Sequence, residues 1–347
     1  MAHSHSQSVS RLAVVVAAGS LMVAPHGAVA QDFWAGKTVS LIIGSEAGSG
    51  YDTYARVVAR HLHKHLPGRP TVVPQNMGGA GSKRATEFIA LIAPKDGTSI
   101  ALVFPGAIAD PMITPREQWR YDPAKLEFIG TVDSGTRLCA THLDSKVKTF
   151  EDARKQTVTI GASAPGGSTY DYPTMLNALT GTKFKVVAGY KGTTDVAVAI
   201  ERKEVDGWCG IEISTFYAVR PEWLPKKQVN TFVQLGLQPN ADMTALGIPS
   251  IWNFVPEQNK KVMELIVSQQ VFQRPIIAPP GTPAARVKEL QDGFMATAKD
   301  KEFLADAARL KLQINPQSGP DVAALVKRMY ASPPDLIARM KNAVRPQ

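Results

Sequence analysis

Little in this 347-residue chain suits covalent chemistry. Two cysteines, Cys139 and Cys209, are too few for a disulfide scaffold, and no C-x-x-C pair marks a zinc or redox site. Beyond residue 30 the histidines are His61, His63, His65 and His142, and no G-x-S-x-G elbow presents a serine for activation. The glycine loops lack the Gly-Lys-Ser/Thr of a phosphate-binding loop. Gly48, Ser49 and Gly50 begin a G-x-G, but Thr53 stands where the dinucleotide fingerprint needs its third glycine. Aromatic residues make up 7% of the chain and are not interleaved with basic blocks, which argues against a nucleic-acid surface. No segment reaches the ~18 uninterrupted apolar residues of a membrane helix.

What apolar length there is lies near the N-terminus. Arg11 precedes a run from Leu12 to Ala24, and Ala28-Val29-Ala30 is the small-x-small pattern of a signal-peptidase site, so residues 1–30 are expected to be an export signal and Gln31 the first mature residue. The remainder is longer than one compact core usually holds, which favours two domains. Formal net charge is +9 for the whole chain and, less Arg11, +8 beyond the leader. A positive field suits an anionic ligand, and it equally serves solubility or docking on a negative surface.

The chain repeats itself. In "VSLIIGSEAGSGYDTYARVVARHL" an apolar strand (Val39–Ile43) runs into a Gly/Ser loop and then into a helix with Tyr54, Val58, Leu62 and Leu66 at helical spacing. "VTIGASAPGGSTYDYPTMLNAL" does the same, with a strand (Val158–Gly161), a loop one residue longer, a Tyr170-Asp171 pair and a helix through Met175, Leu176 and Leu179. A third unit, "AGYKGTTDVAVAIERKEVDGW", offers Lys191 at its mouth and Thr193 or Thr194 as a cap. Further strands are read at "TVVPQN", "TSIALVF", "KVVAGY", "VDGWCGI", "TFVQLG" and "RPIIAPP". Helices are expected over Ala80–Ile92, Thr193–Arg202, Asn259–Gln269, Ala284–Ala298, Glu302–Leu310 and Asp321–Tyr330. Alternation of this kind gives parallel sheets with covering helices.

Such loops share free backbone N–H groups at a helix start, where a carboxylate gains charge-assisted hydrogen bonds of about 1.5–3 kcal/mol each. Two loops facing one another would grip a small organic anion. "HLHKH" puts His61 and His65 on one helical face, but no third metal ligand is evident, and a solvated helix end is expected there.

The segments "GSEAGSGYDTYARVVARHL", "PTVVPQNMGGAGS", "APKDGTSIALV", "GYKGTTDVAVAIERKEVDG" and "APPGTPAARV" occur in order over nearly the whole mature chain. Together they resemble the periplasmic solute receptors of tripartite tricarboxylate transporters, the Bug receptors. The resemblance implies an α/β, type II periplasmic-binding-protein fold, with residues 31–136 and 236–347 in one lobe, 137–235 in the other and a ligand cleft between them. It implies a monomeric, non-enzymatic receptor that needs no cofactor and delivers a small carboxylated solute to membrane permease subunits. The alternatives are a ligand-sensing subunit of a sensor kinase or an exported enzyme acting on a carboxylated compound. Carried over by position, the candidate ligand-binding residues are Gly48, Ser49, Gly50 and Tyr51 in the first loop, and Phe104 and Gly106 after "SIALV". The second lobe adds Pro165, Gly166, Gly167, Ser168, Thr169 and Tyr170, with Tyr190 and Lys191 nearby. The hydroxyls of Ser49, Ser168 and Thr169 and the amides of Gly50 and Gly167 are expected to meet ligand oxygens. Tyr51 is bulky compared with many relatives, which bears on the size of the ligand, and Phe104-Pro105-Gly106 is poor in hydroxyls, which points to a ligand with an apolar or aromatic portion. Asp52 would repel an anion and is expected to cap its helix or meet an amino or hydroxyl group. The family's strand order sets Cys139 and Cys209 on neighbouring strands, which leaves both a bridge and two buried thiols open.

Overall fold

The computed structural model describes residues 1–3, 33–114, 118–163, 167–190 and 192–345. Most of the expected leader, together with Pro165, Gly166 and Lys191, lies outside the described residues. Among those described, β1 (Thr38–Ile43), β2 (Thr71–Asn76), β3 (Ser99–Leu102) and β4 (Glu127–Thr131) open the chain. Then come β5 (Arg137–His142), β6 (Val158–Gly161), β7 (Phe184–Val187), β8 (Gly207–Glu212) and β9 (Val229–Leu235), followed by β10 (Pro275–Ala278) and β11 (Gln317–Ser318). They form two sheets, ordered β11-β4-β10-β3-β1-β2 and β7-β6-β8-β5-β9. The chain thus passes from the first sheet to the second between Thr131 and Arg137 and returns between Leu235 and Pro275.

Strand β1 pairs in parallel with β2 and β3, while β10 runs antiparallel between β3 and β4. Its Val39, Leu41, Ile42 and Ile43 are buried on both faces of the strand, because helices cover the sheet on each side. In the second sheet β6 is parallel to β7 and β8, and β5 is antiparallel to β8 and β9. Cys139 lies directly opposite Cys209 across β5 and β8, and the two form a disulfide in the core. Register, which the sequence left open, settles the choice between bridge and thiols.

Helices α1 (Gly50–Leu62), α2 (Lys83–Leu91), α3 (Gly106–Ala109), α4 (Phe150–Lys155) and α5 (Ser168–Thr180) follow the early strands. The apolar positions of α1 face inward as its spacing predicts, with Tyr54, Val58 and Leu62 buried. The helix ends at Leu62, earlier than Leu66 implied, and a 3-10 turn over His63–His65 carries the chain on. The histidines correct the expectation of a solvated helix end. His61 is buried with Nε2 3.2 Å from Asp306, and His65 Nε2 lies 2.8 Å from Asp300, because helix Lys301–Arg309 packs over this end of α1. His61, Asp300 and Glu302 bring ligand-type atoms within 4.8 Å of each other, but the Lys64 ammonium already bonds both His61 and Glu302 there. Sequence reading also missed β4, α4 and a C-terminal helix, Pro334–Val344.

Candidate ligand-binding cleft

The loops that leave β1, β3 and β6 at their carboxyl ends converge on a cavity of about 270 Å³, just below the roughly 300–1,000 Å³ of small-molecule sites. Tyr51 at the start of α1, Phe104-Pro105-Gly106 after β3, and Asp110 and Ile113 beyond α3 form one wall. Arg137, Gly167, Ser168, Asp171 and Tyr172 belong to the second sheet's side. Ile266 and Gln269, with Met340 and Val344 of the C-terminal helix, complete the lining.

Arg137 opens β5, where the chain first enters the second sheet, so its guanidinium stands between the two halves. Its Nη1 donates to Ser168 Oγ (3.0 Å) and to the Gly210 carbonyl (3.1 Å), and its Nη2 donates to Gln273 Oε1 (2.9 Å). Gln273 precedes β10, at the end of the return passage, so one side chain ties the two passages together. The guanidinium also lies 5.2 Å from the ring centre of Tyr172. Gly210 makes this packing possible. Its φ is +78°, and a Cβ there would fall 2.3 Å from the Ser168 carbonyl oxygen, so only glycine lets the first turn of α5 sit against β8.

Behind this layer Arg274 bonds Asp133 (2.6 Å) and Glu212 (3.0 and 3.3 Å) and stacks 3.9 Å from the Tyr54 ring centre. Burial and the neighbouring Glu212 push the Asp133 carboxyl up, whereas at Glu212 burial is outweighed by Arg274, Asp133 and Arg137 acting together, which hold that carboxyl down. Tyr51 rests on this platform: its hydroxyl donates to the Gln273 carbonyl (2.8 Å), and its ring sits 4.2 Å from that of Phe104. Burial raises its phenol to about 12, which keeps it a donor. The pair gives this wall of the cavity an aromatic face.

Of the residues singled out from the sequence, the structure brings Tyr51, Phe104, Gly106, Gly167 and Ser168 to the cavity. Gly48, Ser49, Gly50, Thr169, Tyr170 and Tyr190 are not in its lining. Ser49 caps α1, its Oγ accepting from Asp52 N–H (3.1 Å), and the Thr169 Oγ1 accepts from Ser163 N–H (3.1 Å). Tyr190 packs against the core of the second sheet. Asp52 caps its helix, accepting from Gly48 N–H (2.8 Å), Arg56 (2.9 Å) and Asn76 (2.9 Å); burial pushes its carboxyl up, but these donors outweigh burial and hold it below its ordinary value.

Arg137, Asp110, Asp171, Tyr172, Met340 and Val344 were not foreseen. The C-terminal helix had a signal: Pro333-Pro334 suits a helix start, and Ile337, Met340 and Val344 recur at helical spacing. Arg137 had none, since a lone arginine before an apolar strand reads as an exposed edge.

Two α/β sheets joined by two passages of chain, with a cleft lined from both, make a two-lobed α/β fold. The chain is 26% identical to the UPF0065 protein in the TAR-I ttuE-ttuC' intergenic region of Agrobacterium vitis over 312 residues, 88% of this chain and 83% of that one. Among solved structures it is similar to a TctC solute binding protein from Polaromonas, with a TM-score of 0.67, 16% identity and coverage of 87% of this chain and 98% of that one. It is also similar to Rpa4515 of R. palustris, solved with adipate, with a TM-score of 0.62, 20% identity and coverage of 86% and 95%. No family model matches the chain. The resemblance to the tricarboxylate receptors is borne out by these relatives, the structural ones speaking for the fold.

Proposed function

We propose that this chain is an extracytoplasmic solute receptor, which closes two lobes on a small carboxylated compound and delivers it to the permease subunits of a tripartite tricarboxylate-type transporter. The observation that carries the reading is Arg137, a guanidinium in the cleft whose three hydrogen bonds go to neutral acceptors. A ligand carboxylate is a stronger acceptor than any of them, and each charge-assisted bond contributes roughly 1.5–3 kcal/mol. Ser168 and the Gly167 amide would complete the grip, with the Tyr51 ring beside them. The adipate held by a structural relative supports a carboxylate as the ligand class. The lobes are taken as residues 31–136 with 236–347, and 137–235, the two passages beside Arg137 and Gln273 forming the hinge. Residues 1–30 would direct export to the periplasm.

Mass spectrometry of the compound that co-purifies with the protein, followed by calorimetry with mono-, di- and aromatic carboxylates, tests this. The expected result is saturable binding of an acid that is recovered unchanged. Failure of every carboxylate to bind would refute the receptor reading, and conversion of the bound acid would make the protein an exported enzyme.

A further inference from the structure

We propose, building on the receptor reading, that the solute of this cleft is an amino-carboxylate, with its carboxylate on Arg137 and its protonated amine on Asp110. Two opposite charges in the cavity lack a direct counter-ion. Arg137 bonds only neutral acceptors, as described above. Asp110 lines the same cavity, is partly buried, and has neither a hydrogen bond nor an ion pair on its carboxylate among the described residues. The remaining charges there cancel: Asp171 is paired with Arg345 at 2.7 Å.

An unpaired, partly buried carboxylate is costly unless something else supplies its donors. The backbone leaves room for this one, since a Cβ at Gly106 would stand only 3.3 Å from Asp110 Oδ2. Burial raises the Asp110 carboxyl to about 6, against the pull of Arg345, consistent with a group that has no bonded cation of its own. A zwitterion supplies what both ends lack. The second carboxylate of a diacid would instead meet the uncompensated charge of Asp110, and like charges at close range are disfavoured. Ile113, Ile266, Met340 and Val344 offer an aliphatic body its surroundings.

Calorimetry with matched acids decides the matter: hexanedioate against 6-aminohexanoate, butanedioate against 3-aminopropanoate, and hexanoate against 2-aminohexanoate. At neutral pH at least one amino acid should bind tenfold or more tightly than its amine-free counterpart. Asp110→Asn should reduce that ratio to about threefold or less, with circular dichroism confirming the fold. Diacids or plain acids that bind as well as every amino counterpart would overturn the amine assignment and leave the receptor reading in place. Absence of binding by any of the six would overturn both. The wild-type panel is decisive even if the variant does not fold.

Discussion

The two glycine loops read almost alike and are used in opposite ways. In the first, Ser49 is the N-cap, so Tyr51 and Asp52 are the second and third residues of α1. In the second, Gly167 takes the cap position, and Tyr170 and Asp171 become the third and fourth residues of α5. One extra loop residue turns the Tyr-Asp pair by about 100° around the helix. Tyr51 and Asp171 therefore face the cavity, whereas Asp52 turns back onto its own helix start and Tyr170 points elsewhere. Serine follows the same division: Ser49 is consumed by capping, and Ser168 meets Arg137. A repeated motif conserves the element it starts, while the offset from the cap decides which side chain reaches the cavity.

The largest test of this division is Arg137→Gln. If the second sheet's side holds the carboxylate, affinity for the best-bound acid should fall by about 100-fold or more, the equivalent of ~3 kcal/mol from two lost charge-assisted bonds. Affinity within threefold of wild type in calorimetry would hand the carboxylate to the first loop and invert the comparison.

Within the first loop's own side, the cavity carboxylate Asp110 and the capping carboxylate Asp52 should respond to pH with opposite sign. Asp110 has a raised folded value of about 6, so its contribution to stability is complete below its unfolded value near 4 and is lost as pH rises through 6. The ligand-free Asp110→Asn protein should therefore match wild type at pH 4 and exceed it by about 1–2 kcal/mol at pH 8 in urea unfolding. Asp52 is lowered, so its contribution is present above its unfolded value and is lost as pH falls through the folded one. Asp52→Ala should cost about 1 kcal/mol at pH 7 through the lost cap and leave ligand affinity within twofold. Equal signs for the two variants would show that Asp110 is a structural group like Asp52.

How far the sequence shows this depends on what each residue answers to. Val39–Ile43 and Val158–Gly161 are legible as strands because burial on both faces demands a continuous apolar run, and Tyr54, Val58 and Leu62 show one helical stripe. Phe104 and Gly106 were found through the family resemblance, which places the loop after this strand at the cleft edge, and the structure brings both to the cavity. Arg137, Asp110 and Met340 come together only through tertiary geometry, from the strand that enters the second sheet, the turn after a four-residue helix and the C-terminal helix. Likewise no local pattern tells whether Cys139 and Cys209 stand opposite each other, since a one-residue slip would separate them.

The smallest effects sharpen the comparison most, because the two serines are chemically identical and differ only in position. Ser49 Oγ satisfies the Asp52 N–H and bonds Ser45 Oγ at 2.7 Å, so Ser49→Ala should lower stability by about 1 kcal/mol, the usual value of a lost N-cap, with affinity unchanged. Ser168 is the first residue of α5, and the hydrogen bond recorded for its hydroxyl among the described residues comes from Arg137, so Ser168→Ala removes no cap. It frees one arginine donor to swing and withdraws one group from the ligand. Stability should hold within about 0.5 kcal/mol while affinity falls roughly fivefold, close to 1 kcal/mol. Thermal melting and calorimetry on both variants give four values, and the division of labour requires the changes to sit on opposite diagonals. A Ser168→Ala protein that loses stability and keeps its affinity would show the second loop acting as a cap like the first.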